Sequence, residues 1–256
     1  MRKSLLAVGF ILAVAGCSRT RQAAPPAAFH ALLDEAWRFQ LQEDPLFATW
    51  VGERRWNDRL PSVTAEDERR RADFSRALLE RLKSIDPAAL GSPDRISYQM
   101  FERQLEDALA DFEFKGFYFP ITVDDGFHIA FARLPSRVPL ETAEDYQNYL
   151  ARLKAFPEYV AQHIALMREG LGAGYSLPRV IFEGYEVTIA SHLVDDPTRS
   201  VFYSPFQRLP ARIAESERER WIEAGKTAVA EAVVPAYRRF LDFMVNEYLP
   251  KARTSI

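Results

Sequence analysis

The chain has one cysteine, Cys17, so no intrachain disulfide is available to it. Glycine is scarce, with 11 residues in 256, and no stretch repeats at a fixed period, which argues against repeat and collagen-like architectures. Basic residues are not in excess: the formal charge is −3, and no basic stripe is interleaved with aromatics, so nucleic acid is not an expected partner. The one arginine cluster, Arg69 to Arg71, follows Glu66, Asp67 and Glu68 and reads as a solvated helix face. Catalytic signatures are also missing. The serines form no GxSxG elbow, and His30, His128, His163 and His192 form no HExxH or other zinc spacing. Gly170-Leu-Gly-Ala-Gly174 follows a helix and lacks the Lys-Ser/Thr of a phosphate loop.

Hydrophobic residues make up 48% of the chain and aromatics 12%, enough to bury a sizeable core and to exclude general disorder. The apolar run Leu5–Ala15 follows Arg2 and Lys3 and is too short to span a bilayer. It ends Leu12-Ala-Val-Ala-Gly16-Cys17, which resembles a bacterial lipobox. The expectation is a signal peptide over 1–16, lipidation at Cys17 and an Ala/Pro-rich tether over 17–28. Ser18 after the cysteine suggests the periplasmic face of the outer membrane. Removing 1–16 takes away two basic residues and leaves 31 basic against 36 acidic, a formal charge of −5.

Residues 29–256 are expected to form one all-α domain, an irregular multi-helix bundle with two long aromatic connectors. Thr142 and Asp145 are spaced as a capping box, and Tyr146, Tyr149, Leu150, Leu153, Phe156, Val160, Ile164, Met167 and Leu171 follow at helical spacing. Gly170, Gly172 and Gly174 should end that helix, and Ser176-Leu-Pro178 should open another over 177–193. Thr64 with Asp67, and Ser92-Pro-Asp94, mark two further helix starts, and a first helix should cover 29–41. A last long helix should run from near Pro210 to Tyr248, kinked at Pro235. The connectors are Glu113–Pro139, with a short strand over 117–123, and Thr198–Leu209.

The nearest constellation for chemistry is Glu183, Glu186 and His192. The two glutamates share a helical face, with His192 about 120° away at 3.6 residues per turn. His163 lies near the apolar stripe of its helix and reads as a core residue. His30 pairs locally with Asp34, and Asp124-Asp-Gly126 reads as a simple turn.

Several segments resemble the N-terminal half of a bacterial lipoprotein family, domain-of-unknown-function family eight hundred and eighty-five. They are Asp44-Pro-Leu-Phe-Ala-Thr49 with Gly52, Pro120 to His128, Glu144-Asp-Tyr146, and Arg168-Glu-Gly-Leu171 with Gly174 and Pro178-Arg179. Members of that family resemble helical zinc metallopeptidases, with a His-Glu-x-x-Pro-Gly-His segment in the C-terminal half. This chain stops at Ile256 and has no counterpart of that segment, so the resemblance carries over no catalytic, cofactor-binding or metal residue. It implies a non-catalytic N-terminal part of a metallopeptidase-like hydrolase, with zinc held only in a full-length relative. The expected partners are the membrane, through the lipid anchor, and a C-terminal catalytic half or a peptide. Phe127, His128, Glu183 and Glu186 are expected to face the cleft. The alternative is a lipid-anchored binding or scaffold protein without enzymatic activity.

Overall fold

Local signals set the helices. A computed structural model describes residues 24–122 and 124–255. Helix α1 (Pro25–Glu43) starts on two prolines, where a missing backbone N–H costs nothing, and so begins inside the segment assigned to the tether. The Asp44 carboxylate then accepts from the backbone N–H of Leu46 and Phe47 and caps α2 (Pro45–Trp50). Helix α3 (Ala65–Lys83) opens with the Thr64–Asp67 capping box, and α4 (Ser92–Glu113) with Pro93 and Asp94 in its first turn. Phe29, Leu32, Leu78, Leu82, Tyr98, Phe101 and Leu105 of these helices form one buried cluster.

A second, larger cluster is built around α6 (Ala143–Gly172). Thr142 and Asp145 form its capping box, and the whole apolar stripe from Tyr146 to Met167 is buried. Its exit follows the glycines. Gly174 takes φ +84°, the Gly174 N–H bonds to Leu171 O at 3.2 Å, and the Tyr175 N–H bonds to Gly170 O at 2.8 Å. That pair of bonds is a Schellman closure.

Among the described residues between α4 and α6, the strand expected over 117–123 does not form. The structure has a 3-10 turn at Gly116–Tyr118 and one isolated antiparallel bridge, Ile121 to Gly126. Pro120 has no N–H to give to a ladder. The connector then coils into α5 (Phe127–Ala132), which places Phe127 and Phe131 in the large core. After α6, the expected helix over 177–193 is broken. A 3-10 turn at Arg179–Phe182 and the short α7 (Glu186–Ala190) flank Gly184, whose φ of +80° ends the helical path. The Arg179 N–H bonds to Arg253 O at 2.8 Å, which ties this segment to the end of the chain.

After the 3-10 turns at Pro197–Arg199 and Val201–Tyr203 and the short α8 (Ser204–Gln207), the final helical rod begins at Glu215 rather than near Pro210. It comprises α9 (Glu215–Ala228), α10 (Val234–Phe243) and α11 (Leu249–Lys251), joined by π turns at Val229–Val233 and Met244–Tyr248. Each π turn ends two residues before a proline, Pro235 or Pro250. A proline crowds the carbonyl four residues earlier and donates nothing to it, and a widened turn absorbs both faults. Among the described residues the fold is all-helical, an irregular multi-helix bundle with no named strand, as expected. None of these helices is long and apolar enough to cross a membrane.

Candidate functional site

Helix α5 brings His128 against α7. His128 Nε2 lies 2.9 Å from Thr188 Oγ1, and Thr188 Oγ1 lies 2.6 Å from Tyr185 O. The single hydroxyl proton goes to that carbonyl, so His128 must donate from Nε2. Its Nδ1 then carries a lone pair, and no partner reaches it. Tyr237 of α10 donates to His128 O at 2.7 Å and holds the same turn from below. Burial, with His192 nearby, pulls the His128 pKa down to about 4, against a smaller opposing effect of Asp125.

His163 lies beside this group. Its ring stacks on Phe127 with centroids 3.9 Å apart, and neither ring nitrogen has a partner. Burial, with His128 adding to it, pulls its pKa down to about 3. His192 packs on Tyr237 at 4.5 Å, and burial lowers its pKa too. Three neutral imidazoles thus lie in or against one aromatic core.

The expected cleft residues separate. Phe127 and His128 are 6% and 1% exposed and belong to the interior of this chain. Glu183 is exposed and Glu186 half-buried, but Gly184 interrupts the helix between them, so they do not share a helical face. His192 turns to the core instead of joining them. His30 pairs with Asp94 of α4 at 3.0 Å, not with Asp34. Asp124, Asp125 and Thr122 close a simple turn, with the Thr122 N–H bonded to Asp125 O at 2.8 Å. Among the described residues, no three His, Cys, Asp or Glu side chains gather in a way that could hold a metal ion. Cys17 lies outside the described residues.

Sequence reasoning passed over Arg152. It sits three residues after Tyr149 and four before Phe156, on the apolar stripe itself, and its side chain is fully buried. A cation at a core position of an amphipathic helix was the available signal. Its Nε donates to Arg59 O at 2.8 Å, and its Nη2 to Pro45 O at 2.9 Å, Thr49 Oγ1 at 2.7 Å and Trp56 O at 3.2 Å.

Residues 45–255 match the family described as a bacterial protein of unknown function, DUF885. The chain belongs to this family. A search of curated proteins returned no match. The DUF885 chain is similar in fold to a crystal structure titled as that of a candidate lipoprotein from Colwellia psychrerythraea, with a TM-score of 0.76 at 14% sequence identity. The similarity covers 91% of this chain and 43% of that one, so the DUF885 chain spans less than half the length of that protein.

Proposed function

We propose that this chain is the non-catalytic N-terminal wall of a larger, metallopeptidase-like hydrolase held in the bacterial cell envelope by lipid on Cys17. The observation that carries this reading is the fold match. Nearly all of this chain superposes on less than half of a larger protein, itself described as a candidate lipoprotein. The domain plan of signal over 1–16, lipidated tether from Cys17 and helical body to residue 256 belongs to the same reading.

The donor set supports a non-catalytic role for the chain. The neutral Nδ1 of His128 is a chemically competent ligand or base, but it is buried and no carboxylate is bonded to it. Among the described residues, no group of His, Cys, Asp or Glu side chains fits zinc. The face that would meet a catalytic half is the stretch 175–192. There Tyr175, Val180 and Val187 are exposed at 38%, 49% and 70%, beside Glu183 and Glu186. In this reading the second segment covers these exposed apolar side chains.

The competing reading is a lipid-anchored binding or scaffold protein. The size of the core around α6 favours it, since that core closes on itself without another chain. The two readings separate on a paired variant, Val180→Asp with Val187→Asp. The wall reading expects the parent chain to bind a hydrophobic dye and self-associate, and the pair to abolish both while leaving the melting transition cooperative. A parent chain that is monomeric and dye-silent sinks the wall reading and leaves the scaffold.

A further inference from the structure

A cavity of about 350 Å³ lies among α2, the turn that carries Arg137 and Val138, and the middle of α6. Arg152 lines it. Holding the 45–59 segment onto α6 explains the Nε and Nη2 bonds of this side chain and leaves one nitrogen unexplained. Nη1 is buried and has no partner. Among the described residues no carboxylate comes within ion-pair distance of the guanidinium. Burial pulls its pKa down to about 10, with Asp58 and Asp44 opposing, so it keeps its charge at neutral pH. Three backbone carbonyls and one hydroxyl fix the plane of the cation without neutralising it. Preorganised in this way, a guanidinium loses little freedom on meeting an anion.

The rest of the wall suits an anion with an apolar body. Arg137 is exposed and adds a second cation. Burial and the charge of Asp44 keep the Tyr159 phenol protonated, so the wall offers a neutral hydroxyl there. Trp50, 72% exposed, and Phe47 lie with ring centroids 5.8 Å apart and form the apolar flank. Asp44 also lies in this wall, and its charge disfavours a dianion.

We propose that this cavity binds a small organic monocarboxylate with an apolar body, the carboxylate taken by the free Nη1 of Arg152 and the body laid against Phe47 and Trp50. A cavity of this size holds a ligand no larger than one or two amino acids.

The test titrates the full chain with N-acetylphenylalanine, 3-phenylpropionate, neutral N-acetylphenylalaninamide and phenyl phosphate, read by tryptophan fluorescence. Trp50→Phe assigns the signal to the cavity. Both acids should saturate, and the neutral amide should bind at least about tenfold more weakly, because it forms no charge-assisted bond with the guanidinium. Phenyl phosphate should bind more weakly than either acid. Arg137→Ala changes an exposed side chain and should weaken the acids a few-fold. Arg152→Lys should weaken them about tenfold or more, with unchanged circular dichroism. Should that variant unfold, the acid-to-amide ratio of the parent chain decides alone. Tighter binding of N-acetylphenylalanine than of 3-phenylpropionate supports a peptide terminus as the natural ligand, and the reverse supports a free acid. Equal binding of acid and amide, tighter binding of the phosphate, no saturation by either acid, or undiminished binding to a folded Arg152→Lys chain overturns the proposal.

Discussion

Replacing His163 with leucine should flatten the pH dependence of stability between pH 7.5 and 5.5. Folded His163 titrates at about 3 and His128 at about 4, against roughly 6.5 in an unfolded chain. Below about pH 6.5 the unfolded chain binds protons that the folded chain refuses. Stability is therefore full above that pH and falls as pH drops toward the folded values. Each buried histidine costs up to about 1.4 kcal/mol per pH unit in that window, or about 1.4 kcal/mol between pH 7.5 and 5.5. The pair should lose about 2.7 kcal/mol over this interval, with a further loss from His192, whose pKa is also lowered. Leucine at 163 removes one share, so the variant should lose about 1.4 kcal/mol less than the parent. Urea denaturation at three pH values measures this. Lost stacking on Phe127 shifts the whole curve without changing its slope. Carboxylates such as Asp67, which burial pushes up but which hydrogen bonds from Ser62 and Thr64 and the charge of Arg70 together hold down to about 2, cancel in the comparison. Parallel curves for variant and parent would refute the claim that His163 is buried and neutral.

Two further substitutions probe packing and capping. An added Cβ at Gly225 of α9 would come within 2.5 Å of the Phe206 ring, which is itself buried. Gly225→Ala should therefore destabilise by about 1–3 kcal/mol despite alanine's better helix propensity, while Gly172→Ala, which meets nothing within 4 Å, should be neutral or stabilising in thermal melts. Thr142→Ala removes the acceptor for the Asp145 N–H and should cost about 1 kcal/mol in the same assay.

The parts of the fold that were legible in the sequence rest on local chemistry. The Thr64–Asp67 and Thr142–Asp145 pairs and the closely spaced glycines after α6 each act within one turn, so spacing alone places them. The misread parts rest on competition between local and distant forces. Ser176 and Pro178 suggested the start of one helix over 177–193, but Gly184 takes a left-handed conformation and the backbone of Arg179 pairs with that of Arg253. Phe127 and His128 are expected from the sequence to face a cleft, because the connector around them is rich in Gly, Asp and Pro, but both lie in the interior. Their burial comes from α6 and α10, which a local reading does not see. The two π turns answer prolines that follow them, so Pro235 signalled a disturbance without saying what form it would take. Arg152 was visible as a charge on an apolar stripe, but its acceptors lie some hundred residues away and only the fold brings them together.

The role proposed for this chain is one wall of a larger hydrolase. Its most direct test is to purify the native protein from detergent-extracted envelopes with an antibody to residues 24–255, and to measure intact mass, peptide content and zinc. These residues should come out joined to, or stoichiometrically bound with, a polypeptide segment carrying His-Glu-x-x-Pro-Gly-His and one zinc ion. A lipidated chain that emerges alone, without that segment and without zinc, contradicts it.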